Sequence, residues 1–212
     1  MWVEGSERRS AMYQYITIER QYCSGGQEIA ELLAKKLGYK LYDHNILVET
    51  AKRLELPTTY IVNLEETAPG NPIFNMSKTA KSSSKKNDNS IPMAEKVFTA
   101  EKAIIEEAAN EGNCIIVGRC ASHILADKPG CLKVFIGADD EYRMKRAVER
   151  ERVKEADAAA ELKKVDKRRS DFFKLHSGAK WGDISCFDIC LDSGKLGKEA
   201  CVEILAAAVK QG

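Results

Sequence analysis

Between a β-branched run and an apolar helical pattern the chain reads ERQYCSGGQE, residues 19–28. Gly25 and Gly26 permit positive φ and let amide hydrogens approach an anion, while the helix that follows aims its positive end at the same point. The chemistry this arrangement suits is the binding of phosphate oxygens; a plain strand-to-helix turn would use the same glycines. Aligned on Gly26 with the phosphate-loop pattern G-x-x-x-x-G-K-[ST], the chain has Gln21 for the first Gly, Gln27 for Lys and Glu28 for the hydroxyl residue. In that pattern the lysine neutralises the β and γ phosphates and the hydroxyl holds Mg²⁺. Gln27 can donate hydrogen bonds but brings no charge, so another cation must supply it. Arg20 or arginines further along are the candidates.

Other residues could complete such a site. Asp43, in LYDHN, stands where a strand gives way to a helix, a place that also suits a helix N-cap. Arg119 follows Val-Gly at a strand end, which suits an anion clamp better than a surface ion pair. Arg143, Arg146 and Arg150 recur at spacings of three and four, so one helix face can carry all three. Asp166 and Arg169 stand at i, i+3, and pair across a solvated face if they have no other task. His44, His123 and His176 have no Ser or Cys at a spacing that suggests nucleophilic catalysis.

The elements that must position these residues alternate. Strands are expected at 13–19, 39–43, 113–118, 131–137 and 186–191, where short β-branched runs meet turn residues. Helices are expected from Gly26 to Leu37, from His44 to Leu54, from Met93 to Asn110, after an Asp139 cap, over 156–176 and over 198–210. Strands alternating with helices imply a parallel sheet covered on both faces, with its ligand crevice beyond the carboxyl ends of the strands. Residues 67–92 hold three of the five prolines and almost no periodic apolar residues, and read as a mobile insert. The remainder, about 13–66 and 93–210, reads as the core of a single domain spanning 1–212, a size that supports one sizeable core.

Composition narrows the partners. With 33 basic against 32 acidic side chains there is no overall field to hold nucleic acid or an anionic membrane, so neither is expected as a partner and any anion site must be local. A nucleic-acid surface would have to use KTAKSSSKK and the arginine-rich helix, which have little aromatic interleaving. No apolar run of about 18 residues occurs and the start has no apolar h-region, which points to a soluble, cytoplasmic protein. Seven cysteines, mostly inside apolar runs, read as reduced and buried. They form no C-x-x-C pair, so no structural metal is expected.

Four segments taken in order, ERQYCSGGQEIAELLAKKLG, KLYDHNIL, IIVGRCASHIL, and VDKRRSDFFKLHSGAKWGD with FDICLD, resemble the cytidylate kinase-like proteins, a divergent branch of the P-loop nucleoside monophosphate kinases. The likeness spans roughly residues 14–207. Members of that branch commonly read R-x-Y-G-S-G-G-x-E-I at the loop, so the missing lysine looks like a trait of the branch; Cys23 replaces a Gly. The resemblance implies a three-layer α/β P-loop kinase-like fold: a five-stranded parallel sheet, helices on both faces and a helical lid over about 139–180. It also implies transfer of a γ-phosphoryl from ATP, with Mg²⁺ arriving on the ATP, to a nucleoside monophosphate, CMP-like by preference. The alternative is a nucleotide-binding regulatory protein of the same fold with weak transfer or none.

By the same resemblance, Ser24, Gly25, Gly26, Gln27 and Glu28 would wrap the ATP phosphates. Asp43 would lie near the acceptor phosphate and the metal, and Arg119 would grip the monophosphate. Arg169 would reach the phosphates of both nucleotides from the lid, and Arg143, on the basic helix before it, would join Gln27, Arg119 and Arg169 in catalysis. Val117 and Cys120 stand where the D-G-R-D motif has acids, which removes a contact to the cytosine base. The lid motif R-D-x-x-D-x-x-R survives only in Asp166 and Arg169, with Leu162 and Lys163 in its first two places. Trp181 is expected to pack the lid's return against the core. Partners are nucleotides, and the chain acts as a monomer or homodimer.

Overall fold

A computed structural model describes residues 13–66 and 91–210. The expected mobile insert lies outside the described residues except for its last two positions. Five strands form one sheet in the order β2-β3-β1-β4-β5, where β1 is Tyr15–Arg20, β2 Lys40–Tyr42, β3 Cys114–Val117, β4 Cys131–Gly137 and β5 Ile189–Asp192. Every neighbouring pair is parallel, and Ile16 on the central strand lies between Ile115 and Leu132. The parallel sheet read from the alternation of elements is therefore present.

Successive side chains of a strand point to opposite faces, and here each face has its own helices. Ile16, Ile18, Ile115 and Val117 pack against Ile29 and Leu33 of α1, Gly26–Leu37, and against Cys201, Leu205 and Val209 of the last helix, α9, Lys198–Lys210. Tyr15, Cys114 and Ile116 face the other way, onto Ile104 and Ile105 of α4, Met93–Glu111, Ile46 of α2, His44–Arg53, and Ala121 of the short α5, Ala121–Ile124. A further helix that periodicity did not suggest, α3, Thr58–Glu66, buries Ile61 with Leu47 and Val97.

The helices expected to form the lid are α6, Asp140–Glu151, and α7, Glu155–Ser177. Asp139 caps α6, its carboxylate accepting from the Tyr142 amide at 2.8 Å. The pair packs through Ala147, Ala158 and Leu162, and Tyr22 and Cys23 of the glycine loop lie against the same cluster. Trp181 does return the chain to the core: its indole meets the Phe135 ring edge-on, centroids 5.4 Å apart, and its Nε1 donates to Glu19 Oε2 at 3.4 Å.

One strand begins later than the sequence pattern suggests. Ile184–Cys186 forms a 3₁₀ turn capped by Asp183, and β5 starts only at Ile189, because Asp188 first ties down the edge by exchanging hydrogen bonds with the Lys133 backbone at 2.8 Å each. A one-turn helix, α8, Ser193–Leu196, then turns the chain into α9; Asp192 caps it.

Leu33 is fully buried between α1 and the sheet. Leu33→Ala is expected to destabilise the fold by about 2–5 kcal/mol, measured by chemical denaturation. A second outcome concerns pH. The His176 imidazole stacks on Phe98 at 3.6 Å and tilts against Phe172. Burial, with a smaller push from His123, lowers its pKa from 6.5 to about 4. Between those values the unfolded chain binds a proton that the folded one does not, so this contribution to stability is complete above about pH 6.5 and drains as pH falls towards about 4. Melting temperatures at about pH 7 and about pH 5 should fall less for His176→Leu than for the parent chain.

Candidate active site

The connections leaving β1 and β3 run in opposite directions across the sheet: β1 leads through α1 to β2, whereas β3 leads to β4 on the far side of β1. A crevice opens beyond the carboxyl ends of strands that part in this way. Two clefts occupy it. One is lined by Arg20 to Cys23 and Gly25 to Glu28 of the loop, together with Asp43, Arg146 and Arg169. The other is lined by Glu19, Arg119, Arg168 and Phe172 among others, and Arg20 and Arg169 line both.

The loop is held by its neighbours at nearly every step. Asp166 Oδ1 accepts from the Tyr22 amide at 2.7 Å, Gln21 Oε1 accepts from the Ala138 amide at 3.0 Å, and Ser193 Oγ lies 2.5 Å from the Ser24 carbonyl oxygen. Ser24 is fully buried. Cys23, with φ near 60°, lies in the left-handed region, as does Gly25, with φ near 79°. The strain at Cys23 fits the branch's usual Gly there. Gly26 has no room for a side chain, since a Cβ would meet Arg20 Cβ at 2.6 Å. Helix α1 makes its first turn at Ile29, whose amide donates to the Gly25 carbonyl. The amides of Gly25 to Glu28 therefore have no acceptor within the helix, the local condition for gripping an oxyanion.

Around these amides the positive charge is arginine. The Arg20 side chain emerges beside Gly26 and crosses Gly118, where a Cβ would stand 2.3 Å from its Nη1; its Nη2 is 3.9 Å from Asp43 Oδ1. Arg169 donates from Nη1 to the Arg20 carbonyl at 2.8 Å and lies over the Tyr22 ring. Burial, and after it the charge of Arg20, pull the Arg169 guanidinium down to about 10. Arg119 sits in a run of three left-handed residues, Gly118, Arg119 and Cys120, which turns its side chain back under the crevice. Its Nη1 donates to Glu101 Oε1 at 3.1 Å, and Glu101 is fully buried. Burial pushes the Glu101 carboxyl up, and burial together with the charge of Arg20 pushes the Arg119 guanidinium down.

The residues singled out from sequence meet here unequally. Ser24, Gly25, Gly26, Gln27 and Glu28 form the loop; Asp43, Arg119 and Arg169 stand at the two clefts. Gln27 turns along the helix, its Nε2 donating to Glu31 Oε1 at 3.0 Å. Arg143 lines neither of these clefts. It is buried, paired to Asp140 at 2.6 Å and to Asp166 at 2.5 Å, and it donates to the Tyr22 carbonyl at 3.3 Å. Its guanidinium is spent on two carboxylates beneath the loop, whereas Arg146, one turn on, reaches the cleft itself. Cys120 lines the second cleft but is buried against Phe173 and Phe187, and Val117 belongs to the core.

Sequence reasoning passed over three residues. Glu101 stands on the apolar face of α4 with Val97, Ile104 and Ala108, and a lone carboxylate on such a face signals a buried partner. Glu19, the last inward residue of β1, is buried under the second cleft; burial raises its pKa, against the opposing pull of Arg20, Trp181 and Arg169. Lys198, at the start of α9, reaches Glu28 at 2.8 Å and left no local signal. Among the described residues no three His, Cys, Asp or Glu side chains converge as a metal site, and no helix is long and apolar enough to cross a membrane.

Two cytidylate kinases match, one from Methanopyrus kandleri at 28% identity over 111 residues and one from Methanosarcina mazei at 33% over 112. The matches cover 49% and 51% of this chain, and 58% and 59% of those relatives' length. A crystal structure of a protein from Eubacterium ventriosum superimposes with a TM-score of 0.70 at 26% identity, covering 93% of this chain and 99% of that one. Shikimate kinase from Acinetobacter baumannii, solved with shikimate, shares the fold at a TM-score of 0.51 and 11% identity, covering 95% and 96%. The sequence profile of the cytidylate kinase-like family matches residues 15–195, most of the chain, and the protein belongs to that family.

Proposed function

We propose that the protein transfers the γ-phosphoryl group of ATP to a nucleoside monophosphate, with a CMP-like acceptor. The observation that carries this reading is the pair of adjoining clefts that share Arg20 and Arg169. A group passed from one cleft to the other stays within reach of both guanidiniums, which is what charge neutralisation of a transferring phosphoryl requires. The names of the two archaeal relatives support the choice of acceptor.

In this proposal the amides of Gly25 to Glu28 hold the triphosphate, Ser24 fixes the loop from beneath, and Gln27 adds a neutral donor at its rim. Asp43 is the carboxylate that fits a hydrated Mg²⁺ carried in by ATP. Arg119 and Arg169 grip the acceptor phosphate, and Arg143 aligns the loop through Asp166 and the Tyr22 carbonyl. An acceptor phosphate is already anionic, so no general base is needed; positioning and water exclusion by the lid supply the rate.

Coupled ADP release measured with a panel of monophosphates tests this. A kinase shows turnover that depends on the acceptor, whereas binding without turnover identifies the regulatory alternative. Arg119→Ala is expected to reduce kcat/KM by about two to three orders of magnitude. That variant also strands Glu101, so Arg119→Lys is the informative partner: it keeps a charge for Glu101 and loses the planar fork, and it should melt near the parent temperature while remaining strongly impaired. Unimpaired turnover in Arg119→Lys removes the clamp role. Gln27→Lys should keep both the fold and ADP binding, since the new ammonium finds Glu31 one turn on; an unfolded variant shows instead that Gln27 is structural.

A further inference from the structure

One carboxylate at the rim of the loop holds two cations. Glu28 Oε2 lies 2.9 Å from Arg146 Nη2 and 2.8 Å from Lys198 Nζ, so α1, α6 and α9 each contribute one member. The side chains are partly withdrawn from water, with 14% of Arg146, 25% of Lys198 and 30% of Glu28 exposed. Arg146 Nε also donates to the Cys23 carbonyl at 3.1 Å. A Cβ built on Gly25 would stand 3.6 Å from Arg146 Nη2 and 3.7 Å from Lys198 Cδ, which puts both cationic chains over the residue that opens α1. Burial pushes the Glu28 carboxyl up, but hydrogen bonds from Lys198 and Arg146 outweigh it and hold the group below the usual carboxylate range. Glu28 is therefore a fixed anion beside the unpaired amides, in the cleft assigned to the triphosphate.

We propose that Glu28 stands in for a nucleotide phosphate: without nucleotide it holds Arg146 and Lys198, and an incoming polyphosphate takes both cations over from it. The charge absent at position 27 is thus present in the protein, stored on α6 and α9 and masked by one acid. This rests on the nucleotide reading above and adds two residues and an exchange to it. The exchange leaves the two cations paired at every stage, and the released Glu28 carboxylate, 30% exposed, is hydrated in their place. It also makes Glu28 a competitor for its own ligand site, and that is what separates it from a structural clamp or a metal ligand.

The test is calorimetric titration of ADP, without magnesium and then with it, into the parent chain and into Glu28→Gln, Arg146→Ala and Arg146→Lys, with a thermal melt of each. Glu28→Gln is expected to bind ADP about tenfold more tightly and Arg146→Ala about tenfold more weakly, the scale of one charged hydrogen bond. Arg146→Lys should fall between, and it keeps the question answerable if the alanine variant does not fold. Unchanged or weaker ADP binding by Glu28→Gln overturns the exchange, whether the acid proves to be a clamp, seen as a lower melting temperature, or a metal ligand, seen as a loss confined to ADP with magnesium. Parent-like affinity in both Arg146 variants overturns it too. In either case ADP binding by the parent chain leaves the nucleotide reading standing. A parent chain that binds no ADP removes that reading and this inference together.

Discussion

Guanidinium groups crowded into a poorly solvated crevice repel one another and lose hydration, so each needs a carboxylate at hand. That constraint organises the carboxyl edge of this sheet. Arg119 has Glu101, Arg143 has Asp140 and Asp166, Arg146 has Glu28, and Arg20 lies toward Asp43. Each pair joins different elements or successive turns, so the ion pairs also set the distances between α1, α4, α6, α7 and the strand ends. Burial, and after it the neighbouring charge of Arg20, lowers the Arg169 guanidinium. An edge built in this way is poised for an anion, because a phosphate relieves the repulsion that the folded chain must otherwise contain.

The backbone supplies the other half of the arrangement. Gly26 and Gly118 are both crossed by Arg20, and side chains on either would collide with it. Loop and β3 turn are thereby fitted around a single arginine that lines both clefts. The left-handed run from Gly118 to Cys120 includes two residues with a Cβ, a conformation costing about 1–2 kcal/mol per residue. Strain of this kind persists where surrounding contacts over-determine it, and here the buried Arg119–Glu101 pair and the packing of Cys120 on Phe173 do so.

Much of the fold was readable along the chain. The β-branched runs that became β1, β3 and β4, and the helical stripes of α1, α4 and α9, are long enough for periodicity to identify them. Where reading failed, the deciding contacts were distant. β5 starts late because Asp188 binds the Lys133 backbone, 55 residues away, and α3 exists because Ile61 finds Leu47 and Val97. The site divides similarly. SGGQE, Asp43 and Arg119 carry local signatures, a glycine turn or a strand end, and Arg169 is marked by its spacing from Asp166. Among the three arginines on α6, spacing alone ranks none above the others. The resemblance singles out Arg143, whereas the packing of α6 on α7 turns it onto Asp166 and delivers Arg146 to the loop.

What the amino-acid order determined by itself is local: which segments pair or coil, where the chain needs a residue without a Cβ, and that position 27 carries no charge. Those properties follow from backbone sterics and from periodicity over a few residues. Which cations reach the loop, and which acids hold them, was decided only when α6 and α9 docked beside α1. Arg146 meets Glu28 across 118 positions and Lys198 across 170, and no local rule of spacing encodes a contact that depends on how whole helices pack.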